Sequence, residues 1–182
     1  MKTDEELAAA TILDNKNFDP LIDRYTQKIR RYIAHLIGNW QESEDVAQDV
    51  FFLAYKNIAS FNRHMKFSAW LYRIAHNQSV NYIRKHYNHA KTVEFNEAIQ
   101  NELAEHINFG EIIDKHLKNK DLKLALTNLS QKDQEMIYLA YHDEKKYDEI
   151  ADILEMPVNS VGPTLNRVKK KLKVSLEKRW QN

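Results

Sequence analysis

The sequence predicts an all-α protein made of two small helical domains joined by a linker. Three observations carry that prediction. Gly and Pro, three of each in 182 residues, are too few for the frequent turns of a β-protein. Apolar residues recur at spacings of three and four instead of alternating. Residues 92–110, without clear periodicity and rich in acids, separate two periodic stretches, which sets the domains at 1–91 and 111–182.

Taken in order, Thr3-x-x-Glu6 is a capping-box pattern and opens a first helix over residues 3–15. A second follows Asp19-Pro20, where Pro suits the first turn, and stops at Gly38. Ser43 caps a third, with Glu44 and Asp45 at the favourable end of its dipole, and that helix runs to a turn around Phe61-Asn62. The fourth, capped by Ser68 and reaching about Asn88, places Leu71, Ile74, Ala75 and Tyr82 on one face and Arg73, Asn77, Asn81, Arg84 and Asn88 on the other. Beyond the linker, a helix runs from Glu111 to about Asn128. Ser130-x-x-Asp133 then caps a segment carrying Met136, Ile137, Ala140 and Tyr141.

The last helices read YDEIADILEMPVNSVGPTLNRVKKKLK. A short helix bearing Ile150, Ala151 and Leu154 breaks at Glu155-Met156-Pro157, and a longer one bearing Val161, Leu165 and Val168 follows. This is a helix-turn-helix pattern, in which a small residue such as Ala151 lets the two helices cross closely. The run Arg167, Lys169, Lys170, Lys171 and Lys173 then offers phosphate contacts, each steepening the log–log salt dependence of duplex binding by ~0.9.

A formal charge of +1 hides strong segregation. Val50 to Val93 holds seven Lys or Arg and no acid, Thr92 to Asp114 six acids and no base, and Met156 to Asn182 seven bases against one acid. Such blocks mark an electrostatic partner, with nucleic acid the first candidate. Cationic side chains interleaved with aromatic rings are also how single strands are held, each stacked base contributing ~1–3 kcal/mol. On the third helix, Asp45, Gln48, Asp49 and Phe52 stand at i, i+3, i+4 and i+7 and form one stripe, leaving Val46, Val50 and Phe51 for the core.

Other chemistries find little support. Cysteine is absent, which excludes disulfides, thiolate metal sites and thiol nucleophiles and fits a reducing compartment. No apolar run approaches the ~20 residues of a spanning helix, and MKTDEEL is acidic where a signal peptide is basic. A cytoplasmic protein without membrane insertion is expected. His86-x-x-His89 has a spacing a metal could use, but no acid or Cys lies nearby in sequence, so neither a metal nor a cofactor is expected. Without a glycine-rich phosphate loop or a pocketed carboxylate pair, no enzymatic activity is expected either.

SEDVAQDVFFLAYKNIASFNRHMKFSAWLYRIAHNQSVNYIRK resembles region 2 of bacterial sigma-70-type RNA polymerase sigma factors, and LSQKDQEMIYLAYHDEKKYDEIADILEMPVNSVGPTLNRVKKKL resembles their region 4. The order and short spacer are similar to the compact extracytoplasmic-function (ECF) group. The resemblance implies a promoter-recognition subunit whose partners are core RNA polymerase, at its clamp and flap regions, and promoter DNA; inhibitory anti-sigma partners are common in the family. It implies that Asp45, Gln48, Asp49 and Phe52 dock on the clamp. Asn62, Arg63, His64, Met65, Lys66 and Phe67 would form a pocket for an extruded minus-ten base, and Arg73, Asn77, Asn81, Arg84 and Lys85 would line the path of the melted strand. Asn159, Ser160, Thr164, Asn166, Arg167 and Lys170 would meet the minus-35 element. Trp70 and Phe61 are expected in the core, while Phe67 could serve either the core or the base pocket.

The chain departs from the family pattern at several points. Glu155 stands where Gly is usual and requires a left-handed or altered turn. Pro163, comfortable only in a first turn, places the start of the last helix near Asn159 or Ser160, or bends it. Asn81 replaces a common Asp, and Lys146 stands where a polar cap is usual. The competing reading is a stand-alone helix-turn-helix regulator with residues 1–91 as a sensor or dimerisation unit. An acid-free, aromatic-rich block from 50 to 93 is not something a sensor requires.

Overall fold

The computed structural model describes residues 2–86 and 119–180. Among them there is no strand. The helices are α1 (Asp4–Thr11), α2 (Asp19–Ile37), α3 (Glu42–Lys56), α4 (Phe67–His86), α5 (Asn119–Thr127), α6 (Gln131–Ile137), α7 (Tyr147–Ile153) and α8 (Val158–Trp180). The chain divides into two compact units, one built on Met1–Glu94 and the other on Phe95–Ala151 and Glu155–Asn182. The acidic segment 92–110, Asn88, His89 and the expected helix start at Glu111 lie outside the described residues.

In the first unit α2, α3 and α4 pack on one another. Leu21, Ile29, Ile33 and Ile37 of α2, Val50 and Ala54 of α3, and Leu71, Tyr72 and Ala75 of α4 are fully buried. Burying one large apolar side chain stabilises by ~1.5–3 kcal/mol. The expected punctuation holds where it is local. Thr3 and Glu6 form the capping box of α1. Pro20 sits in the first turn of α2, and Gly38 ends that helix at φ 74, in the left-handed region that Gly enters without a Cβ clash.

Two caps differ from the sequence reading. Ser43 lies inside α3, fully buried, its hydroxyl donating to the Trp40 carbonyl at 2.6 Å. Asn39 caps instead, its Oδ1 accepting from the N–H groups of Gln41 (3.0 Å) and Glu42 (3.2 Å). Likewise Ser68 lies inside α4, which begins at Phe67.

The second unit packs α5 and α6 against α8. Leu122 and Leu126, Met136 and Ile137, and the α8 series Val161, Leu165, Val168, Leu172 and Leu176 are buried. Ser130 caps α6, its hydroxyl accepting from the Asp133 N–H at 3.2 Å. Tyr138–His142 follows as a π-helical turn. Before α7, the Lys146 N–H donates to the Glu149 carboxylate at 3.2 Å, so Glu149 satisfies a donor at a start that Lys146, without a side-chain acceptor, cannot cap.

The turn between α7 and α8 resolves the Glu155 question. Glu155 adopts φ 50, and the Met156 N–H closes back on the Ala151 carbonyl at 3.0 Å. That pairing is the C-terminal motif in which glycine usually supplies the left-handed residue. Because a residue with a Cβ is strained there by ~1–2 kcal/mol, Glu155→Gly is expected to raise stability by up to about 1 kcal/mol once the extra backbone entropy of Gly is counted. Urea denaturation measures it, and a lowered midpoint would contradict the strained-turn account.

α8 begins at Val158, within a residue of the expected start near Asn159, and Pro163 lies inside the helix. It cannot donate to the Asn159 carbonyl. Gly162 beside it has a packing reason: a Cβ there would lie 3.3 Å from Tyr147 Cε2 on α7, tighter than ordinary contact.

Candidate nucleic-acid interface

On α3, Asp45, Gln48, Asp49 and Phe52 are all exposed and share one face. Phe52 is 64% exposed, which makes it a protruding apolar group on an acidic stripe, while Val46, Ala47 and Val50 point into the core. Phe51, expected in the core, is half-buried.

Between α3 and α4, Asn62 folds the connection into a turn. Its Oδ1 accepts from the His64 N–H at 3.0 Å and its carbonyl from the Met65 N–H at 3.1 Å. Asn62, Arg63, His64 and Lys66 are exposed. Phe67 is not: its ring is 0% exposed, held between Tyr25 (5.7 Å between centroids), Phe61 (5.6 Å) and Trp70 (5.7 Å). This corrects its assignment to the base pocket, because an aromatic at the first position of α4 falls on the side facing α2. Phe61 is buried as expected, and Trp70 is half-buried against it at 5.3 Å.

Along α4, Asn77, Asn81, Arg84 and Lys85 are exposed and Arg73 is half-buried. At about 100° per residue, Arg73, Asn77 and Arg84 fall on one line, with Asn81 and Lys85 progressively toward α3. Asn81 and Lys85 accordingly line a groove of about 290 Å³ that also takes in Asp45 and Asp49. The sequence kept these two sets apart as separate faces; they border one groove. Asn77 and Arg84 do not line it.

In the second unit, Asn159, Asn166, Arg167 and Lys170 are exposed along α8, with Pro163 exposed among them, whereas Ser160 and Thr164 are half-buried. Much of the basic run is engaged within the unit. Lys171 Nζ lies 2.5 Å from Asp133, Arg167 3.9 Å from the same carboxylate, and Lys173 3.8 Å from Glu177. The Lys169 ammonium stands 5.0 Å over the Tyr141 ring. Asp133, whose side chain is 8% exposed, is the residue that sequence reasoning missed: its capping position concealed a carboxylate aimed at α8. Arg167, Lys170 and Lys171 rim an open groove of about 600 Å³ with Asn128 and Ser175.

Two family descriptions fit the chain, Sigma-70 region 2 over residues 21–88 and Sigma-70, region 4 over residues 119–172. The ECF RNA polymerase sigma factor SigW of Bacillus subtilis is 33% identical over 174 residues, covering 90% of each chain. The chain belongs to the ECF group of the sigma-70 family. RNA polymerase sigma factor YlaC of the same bacterium is 28% identical over 165 residues, 89% of this chain and 93% of that one. The fold is also that of CnrH, solved in complex with the cytosolic domain of CnrY. There the TM-score is 0.69 at 22% identity, over 97% of this chain and 98% of the other. The sigma factor RpoE of Bartonella quintana, solved in complex with the anti-sigma factor NepR, gives 0.62 at 22% identity, over 89% and 98%. With both regions matched in order, this ECF sigma factor is a promoter-specificity subunit, and the reading as a stand-alone regulator falls away. Among the described residues, no helix is long and apolar enough to cross a membrane.

Proposed function

We propose that the chain docks on core RNA polymerase through the α3 stripe, receives the melted non-template strand along α4, and grips the minus-35 duplex with α8. The observation that carries this is the exposed line of Asn77 and Arg84 in a block without a single carboxylate. Acids there would repel phosphate, whereas Asn offers both donor and acceptor to a base edge. No covalent chemistry is performed by this chain; stacking within the duplex is exchanged for stacking and hydrogen bonding on protein. An anti-sigma partner is part of the proposal, since RpoE of Bartonella quintana, of the same fold, is solved with one. The test is initiation from a promoter library by core polymerase with the purified chain: enriched start sites that need the chain support the reading, and an unenriched library sinks it.

The basic groove carries its own prediction. Asp133 holds Lys171 and Arg167 back from phosphate, so Asp133→Asn is expected to tighten duplex binding. It should also steepen the log–log salt dependence by about 0.9 for each cation released to a phosphate. Salt titration of minus-35 duplex binding checks this, and an unchanged or shallower slope contradicts it.

A further inference from the structure

The block from Val50 to Val93 contains no acid, yet one reaches it from α1. Glu5 Oε1 accepts a hydrogen bond from the Phe67 N–H at 3.2 Å, across 62 positions of sequence. Phe67 opens α4, so this bond satisfies one of the backbone donors that a helix leaves open at its start, and a carboxylate there also meets the positive end of the helix dipole. The need is local. Lys66 sits at the cap position, its carbonyl accepting from the Trp70 N–H at 3.1 Å, and a lysine side chain has no acceptor with which to cap.

α1 is firmly seated to supply the group. Its capping box closes its own start. Asp4, the neighbour of Glu5, pairs with Arg24 at 2.5 Å and accepts from the Tyr25 hydroxyl at 2.6 Å, and the Tyr25 ring meets the Phe67 ring edge-on at 5.7 Å. Consecutive carboxylates of α1 therefore act on Phe67 from two sides, one through its backbone and one through its ring. Phe67 in turn ends the loop 62–66, whose other end is anchored by Phe61 against Phe67 and Trp70. All of α1 lies before residue 21, where the region 2 match begins.

We propose that Glu5 is a positioning residue for promoter opening. From α1 it fixes the first turn of α4, and with it the loop 62–66, in the arrangement that receives the extruded base. The inference rests on the proposed promoter-opening function and on the base-pocket role that the family resemblance implies for that loop. Holding the loop before DNA arrives removes an ordering cost from the melting step.

The test uses holoenzyme reconstituted from the full chain and core polymerase on a duplex promoter selected with the wild-type protein. Permanganate reactivity of minus-ten thymines reports opening, and polymerase affinity and amide exchange at Phe67 are followed in parallel. Glu5→Ala should open roughly three- to thirtyfold less, the range spanned by loss of a helix cap, with faster exchange at Phe67 and unchanged polymerase affinity. Glu5→Gln, whose amide oxygen still accepts from the Phe67 N–H, should restore both opening and protection. Full opening by Glu5→Ala despite fast exchange at Phe67 overturns the proposal. So does a loss of polymerase affinity that parallels the loss of opening, because Glu5 would then serve the fold at large. Should the wild-type holoenzyme open no promoter at all, it is the promoter-opening reading of the whole chain that fails, an outcome distinct from a Glu5 variant that differs from an active wild type.

Discussion

Asp49→Arg lowers the affinity of the chain for core RNA polymerase by roughly a hundredfold or more. Placing a like charge against a complementary surface costs several kcal/mol, and each ~1.4 kcal/mol is a factor of ten. Asp49 sits mid-stripe on α3, one turn from both Asp45 and Phe52, and all three are exposed, so reversal inverts the field where a basic partner helix would lie. The fold is untouched, because the buried face of α3 is carried by Val46, Ala47, Val50 and Ala54. Co-elution with core enzyme measures the effect, and circular dichroism confirms the helices. Unchanged co-elution would place the docking surface elsewhere.

The second large effect concerns the strand. Asn77→Ala combined with Arg84→Ala reduces open-complex formation at least about tenfold, since a single base or phosphate contact of this kind contributes ~1–3 kcal/mol. Polymerase binding stays intact. The structure sharpens the choice of residues: Asn81 and Lys85 border the same groove as Asp45 and Asp49, so substituting them would disturb docking and opening together. Asn77 and Arg84 do not line that groove, so substituting them tests the proposed strand contact separately from docking. If their loss weakens polymerase binding as much as opening, the α4 line is a docking element instead.

What the sequence made legible was whatever a few consecutive residues decide. The capping box of α1, Pro20 in the first turn of α2 and Gly38 at its end depend on neighbours three or four positions away, and all could be read directly. The strained backbone at Glu155 was foreseen for the same reason. What escaped was decided across the fold. The cap of α4 comes from Glu5, far back in the chain, and the apparent cap Ser68 is displaced into the helix. Phe67 reads equally well as a stacking ring or a core ring, and only its enclosure by Tyr25, Phe61 and Trp70 settles the matter. Asp133 looked like an ordinary capping-box residue, while its carboxylate is spent on Lys171 instead.

These losses have a common physical origin. A basic run in sequence is not a basic surface until its internal partners are known, and three of the five basic residues from Arg167 to Lys173 lie near a carboxylate. Conversely, among the described residues Glu5 meets the acid-free block at the start of α4, and Asp45 and Asp49 border it across one groove.

In the proposed mechanism the Asn77–Arg84 line of α4 touches the melted non-template strand. A photo-crosslinking residue at position 77, in holoenzyme bound to a selected promoter, tests it most directly. Crosslinks are expected to the non-template strand of the minus-ten element and should vanish when the duplex is kept closed. Crosslinks to a polymerase subunit alone, or to closed duplex and open complex alike, would contradict it.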